Sequence, residues 1–86
     1  MDDVYIHPHA LKHGLSEDDI AYAWENYLRM QYRESPEEDK VLAVGYDKSG
    51  RFIQMVGRRN ADGVLIYHAM SPPTTRVLIE LGLLRR

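Results

Sequence analysis

The chain has no cysteine, which excludes disulfides, a thiolate nucleophile and cysteine-ligated zinc or iron–sulfur clusters. It has no apolar run near the roughly 20 residues of a membrane span. Its start, MDDVYIHPHA, lacks the basic-then-apolar layout of a secretory signal, so a cytoplasmic protein with no membrane partner is expected. No P-loop, GxGxxG or GxSxG segment is present, and nothing else calls for a nucleotide or other cofactor. Internal repeats, low-complexity tracts and linkers are missing too, so 86 residues make one domain over 1–86.

What is present is ordinary globular material with an uneven charge distribution. Apolar residues make up 44% and charged residues 28%, which fits a folded domain. Residues 1–39 hold ten Asp or Glu against Lys12, Arg29 and Arg33, whereas residues 40–86 hold three against eight Lys or Arg, giving about −7 and +5. Such a split suggests an acidic face and a basic face able to meet phosphate or an acidic partner. The overall charge of −2 is not that of a strong nonspecific nucleic-acid binder.

Element signals run in a clear order. Pro8 suits the first turn of a short helix over HALKH, closed by Gly14. Ser16 opens SEDDIAYAWENYLRMQYR, where acids at 17, 18 and 19 suit a helix N-terminus. Ile20, Ala23, Trp24, Tyr27, Leu28 and Met30 then recur at helical spacing. After the polar break RESPEED, the turn clusters DKSG and NADG separate three runs rich in Val, Ile, Leu, Phe and Tyr. SPP ends the last run, and TTRVLIELGLL has the makings of a terminal helix. The expected fold is α+β: two N-terminal helices, a three-stranded antiparallel sheet with room for an extra short N-terminal strand, and a short C-terminal helix.

If both hairpin turns hold an even number of residues, Leu42, Val44, Tyr46, Ile53, Met55, Val64, Ile66 and Met70 share one face with Arg51, Arg59 and His68. Val41, Ala43, Phe52, Gln54, Val56, Arg58, Leu65, Tyr67 and Ala69 then share the other. That second face is semi-apolar, so a noncatalytic module binding a partner through it is the alternative to an enzyme. A DNA-binding regulator is disfavoured, since no basic recognition helix is present.

Three of the four histidines, His7, His9 and His13, lie in YIHPHALKHG. On a helix His9 and His13 would lie on one side, the spacing of helical zinc ligands. The stretch is not HExxH and offers no good third ligand, so no metal site is expected. A different chemistry suits His68, Arg58, Arg59 and Arg76. Guanidinium groups hold phosphate, and an imidazole exchanges protons near neutral pH, the requirements for cleaving RNA by attack of the ribose 2′-hydroxyl. Tyr67 adds a ring for stacking. Solvated arginines and a merely packed His68 are the plainer alternatives.

Two segments resemble the BrnT-type toxins of bacterial type II toxin-antitoxin systems, within the RelE-like ribonuclease group. One is Lys12, His13, Gly14 and Leu15 followed by SEDDI, and the other is RRNADGVLIYHAMSPPTTR, with VLAVGYDKSGRFIQMV between them. The resemblance implies an α+β ribonuclease that inhibits translation and is neutralised by a cognate antitoxin. It supports Lys12, His13 and Arg59 and aligns Ala69. Where the family has an arginine after that alanine, this chain has Met70, and where it has a small residue before it, this chain has His68. The expected site is therefore His13, Arg59, His68 and Arg76 for catalysis, with Lys12, Arg58 and Tyr67 for RNA contact.

Overall fold

The computed structural model describes residues 3–33, 36 and 39–85. The fold is α+β, but its sheet is five-stranded and mixed, which corrects the expected three-stranded antiparallel sheet behind two N-terminal helices. The elements are β1 (Asp3–Ile6), a 3-10 helix (Pro8–Leu11), α1 (Glu17–Glu25), β2 (Tyr27–Tyr32), β3 (Lys40–Tyr46), β4 (Phe52–Asn60), β5 (Gly63–Met70) and α2 (Thr75–Glu80). The strand order is β1-β5-β4-β3-β2, antiparallel except where β1 runs parallel to β5.

The largest departure from expectation is the segment Tyr27–Tyr32. Its residues continue the helical spacing of α1, yet they form an edge strand paired to β3. The start of α1 is as the sequence indicates: the Ser16 hydroxyl accepts from the Asp19 N–H, and the Asp19 carboxylate accepts from the Ser16 N–H at 2.9 Å. Its end comes at Asn26, whose backbone and side-chain amides both donate to the Tyr22 carbonyl. A helix continued to residue 33 would leave the ladder groups of β3 unpaired, and burying such groups costs more than local propensity returns. Gly45 makes the junction possible, since a side chain there would strike the Ala23 carbonyl and the Tyr27 backbone.

Two register details reassign the faces. The β3–β4 connection is five residues, Asp47 to Arg51, because Tyr46 pairs with Phe52. That odd number puts Val41 and Ala43 with Ile53 and Met55, and Leu42 and Val44 with Gln54 and Val56. The β4–β5 hairpin turns at the expected NADG cluster, with Asn60 opposite Gly63 across two residues, but a bulge between Val56 and Gly57 leaves Tyr67 as the extra residue. Beyond it Met55 faces Ala69, Val56 faces His68 and Gln54 faces Met70.

Each face is covered. α1 and the 3-10 helix lie over the core of Ala10, Leu15, Ile20, Ala23, Val41, Ala43, Ile53, Met55, Val64, Ile66 and Ala69. α2 lies over Leu42 and Val44 through Val77 and Leu81, with Phe52 and Val56 packed beside them. The face expected to stay open for a partner is thus split between the two sides: its Val41, Ala43 and Ala69 lie in the core under α1, and its Phe52 and Val56 lie beside α2. The position of α2 is tied by the buried Gln54 side chain, whose oxygen accepts from the Thr74 N–H at 3.0 Å, and by an Arg29 guanidinium donating to the Leu81 carbonyl.

Candidate functional site

The histidine-rich stretch forms a 3-10 helix rather than an α-helix. Pro8 occupies its first turn and the His7 Nδ1 accepts from the His9 N–H at 3.0 Å. Gly14, with φ of 80°, ends the turn that follows. This tighter winding separates the expected His9 and His13 pair. His9 packs edge-on to His7 at 4.8 Å between ring centroids, while His13 crosses to β5 and meets His68. Among the described residues no group of three His, Cys, Asp or Glu is placed to hold a metal ion.

The His13 and His68 rings are 5.6 Å apart between centroids and nearly perpendicular, at 74°. His13 is exposed and His68 half-buried on β5. Burial, and secondarily the charge of His13, push the His68 imidazole below its ordinary value of 6.5, so its neutral, proton-accepting form is favoured. Two imidazoles within reach of one small group, one exposed and one held neutral, can divide the roles of acid and base. Lys12 adjoins His13 in the chain, exposed, and makes no ion pair among the described residues.

The remaining expected residues are dispersed. Arg59 faces Val64 near the hairpin, whereas His68 faces Val56 three residues farther along β4, about 10 Å away along a strand. The bulge also puts the two residues out of phase, so they do not share a face. Arg59 lays its guanidinium 4.0 Å above the Tyr32 ring. Arg58 pairs with Asp39 at 3.3 Å, both ends well exposed. Arg76 stands exposed in the first turn of α2. Tyr67 is the half-buried extra residue of the bulge. Met70, at the position of the family's arginine, lies opposite Gln54.

Sequence reasoning passed over a second constellation. Tyr5, Trp24, Tyr27 and Tyr32 line a groove of about 690 Å3, together with Asp3, Val4, Glu25, Met30 and Val64. Trp24, Tyr27 and Met30 had the spacing of a helix core, and that spacing hid the groove. Alternation within YLRMQY, which sends Met30 toward the α1 side and Arg29 and Gln31 toward α2, was the available signal.

Arg51 has a structural task. Its guanidinium bridges Asp47 and Asp19, at 2.8 Å to each, joining the β3–β4 turn to the α1 N-terminus. Burial works against ionisation of Asp47, yet hydrogen bonds from the Arg51 backbone and guanidinium, the Arg51 charge and the Ser49 N–H together hold its carboxyl below the usual range. Among the described residues no helix is long and apolar enough to cross a membrane. Compared with protein-family models, curated proteins and solved structures, the chain finds no match in any of the three.

Proposed function

We propose that the chain is a toxin-like ribonuclease of the BrnT type that acts in the cytoplasm, cuts RNA without a metal ion, and is neutralised by a cognate antitoxin. The observation that carries this reading is the contact between His13 and His68, 55 positions apart in sequence and 5.6 Å apart between ring centroids. His13 belongs to the first of the two resembling segments, and His68 lies within the second at a position where the family has a small residue, so the pairing is this chain's own and supports proton transfer by the chemistry of its two imidazoles.

In the proposed reaction His68, neutral, takes the proton of a ribose 2′-hydroxyl. The 2′-oxygen bonds to the adjacent phosphorus and the bond to the 5′-oxygen breaks. His13, as imidazolium, gives its proton to that leaving oxygen, so the products are a 2′,3′-cyclic phosphate and a 5′-hydroxyl. Lys12 supplies positive charge beside the phosphate. Arg59 and Arg76, apart from the histidines, serve at most to hold the RNA strand away from the scissile bond, along with Arg58 and Tyr67.

The test is incubation of the purified chain with single-stranded RNA in excess chelator, with end-group analysis of the products. Cyclic-phosphate ends are expected, and His13→Ala or His68→Ala should each slow cleavage by about 10²–10⁴-fold. Intact RNA, together with normal growth of cells expressing the chain without a partner, would sink the reading.

A further inference from the structure

Half of the chain's eight aromatic residues line one groove, and it is not the histidine site. The groove is bounded by β1, β5, β2 and the C-terminal end of α1, and its volume of about 690 Å3 exceeds what one ammonium head group fills. Tyr5, Tyr27 and Tyr32 are each nearly half exposed there, at 47%, 48% and 47%. Soluble proteins seldom leave so much ring surface together without a use.

The electrostatics of the groove point one way at its α1 end. Asp3 and Glu25 line it, and among the described residues neither carboxylate has an ion-pair partner. The C-terminus of α1 ends beside them with no basic residue in its last turn, so the negative end of the helix dipole adds to the same field. Ring faces are themselves attractive to cations. Among the described residues this attraction is seen with Arg59 over Tyr32 at 4.0 Å and Lys48 over Tyr22 at 5.5 Å. A phosphate backbone entering the groove would meet two carboxylates, which disfavours nucleic acid there despite the stacking surfaces.

We infer that this groove is a docking site for a protein partner, and that it takes a lysine- or arginine-bearing segment whose cation sits among the Tyr5, Trp24 and Tyr27 rings beside Asp3 and Glu25. The groove and the His13–His68 pair share no residue, so this holds whether or not the chain cleaves RNA. The stems of lysine and arginine cover apolar ring surface while their heads reach the carboxylates, and the volume accommodates the flanking residues of the segment.

Trp24 is the chain's one tryptophan, so its emission reports directly on the groove. The experiment titrates the full chain with a twelve-residue peptide bearing alternating arginine and lysine. Parallel titrations use the same peptide with glutamate at those positions, tetramethylammonium alone, and a single-stranded RNA oligomer. The basic peptide should give a saturable change in emission. Glu25→Gln combined with Asp3→Asn, and separately Tyr27→Ala, should weaken it at least tenfold, while Glu17→Gln at the other end of α1 leaves it unchanged. Circular dichroism checks that the variants fold, and if Tyr27→Ala does not, the carboxylate variant decides. The inference is overturned by no saturable response to the basic peptide, by equal binding of the glutamate peptide or of tetramethylammonium, by tighter binding of the RNA, or by groove variants that bind like the parent.

Discussion

Among the described residues, eleven buried apolar ones on the α1 side of the sheet, drawn from the 3-10 helix, α1, β3, β4, β5 and the loop residue Leu15, form one cluster, whereas on the α2 side Leu42, Val44, Val77 and Leu81 are buried together. The larger core is held chiefly by apolar area, with the Arg51 bridge from Asp47 to Asp19 at the α1 N-terminus as its polar tie. The smaller one relies on polar ties: Gln54 to Thr74, Arg29 to the Leu81 carbonyl, and Arg33 to Glu80 at 3.2 Å. A six-residue helix cannot bury enough surface to hold itself down, so directional bonds do what packing does across the sheet. Both candidate sites depend on the larger side: the groove lies beside α1, and the 3-10 helix that packs on β5 carries His13 to His68.

That contrast is breakable by substitution. Met55→Ala, at a fully buried position under α1, should cost about 2–5 kcal/mol by urea denaturation. Gln54→Leu removes the acceptor of the Thr74 amide and should cost about 1–3 kcal/mol, with amide exchange accelerating in α2 before the rest of the sheet. Val77→Ala deletes two carbons from the smaller core and should cost about 1.5 kcal/mol. Ser16→Ala removes the reciprocal cap of α1 and should cost about 1 kcal/mol. If Val77→Ala instead equalled Met55→Ala, the two faces would be energetically alike and the contrast would fail.

The smallest effect expected is that of pH. Because the folded state holds His68 below its ordinary value, protonation favours the unfolded chain. Stability is unaffected above pH 6.5, falls as the pH drops below 6.5, and levels off beneath the lowered folded value. Urea midpoints between pH 7.5 and 5 should show the decline, and His68→Phe should flatten it. Asp19 and Asp47 act in a separate window. Hydrogen bonds from the Ser16 backbone and hydroxyl, against some burial and with help from Arg51, lower Asp19, and Asp47 is lowered as well. Their contributions persist above pH 3.8 and vanish only as the pH falls through the lowered folded values.

The legible and illegible parts of the chain separate by range. The Ser16 cap, Pro8 in the first turn of the short helix, the NADG turn and the three β runs between 40 and 70 are set by neighbours within a few residues, and each is found where the residues place it. The expected break RESPEED lies between β2 and β3, and its residues 34, 35, 37 and 38 fall outside the described residues. The faces were misassigned because parity depends on a turn held at five residues by the Asp47 carboxylate, which accepts from the Ser49 and Arg51 amides at 2.9 Å, and on a bulge with no glycine at the extra residue. For the candidate site, the residue types were readable, but the meeting of His13 with His68, and the separation of both from Arg59, follow from that bulge and from the tight winding after Pro8.

By itself the sequence determined an α+β composition, the starts of its helices, the β runs between residues 40 and 70, and the polar groups available for chemistry, because these depend on caps, turns and alternation acting locally. Only the tertiary structure decided that Tyr27–Tyr32 is a strand, that β1 joins β5 in parallel, and which side chains meet. Those outcomes rest on the backbone groups of sheet edges, which must find partners far away in sequence. Gly63 shows the dependence in one residue: with φ of 139° and the Asp3 backbone where a side chain would stand, it looks like an ordinary turn glycine until β1 arrives beside it.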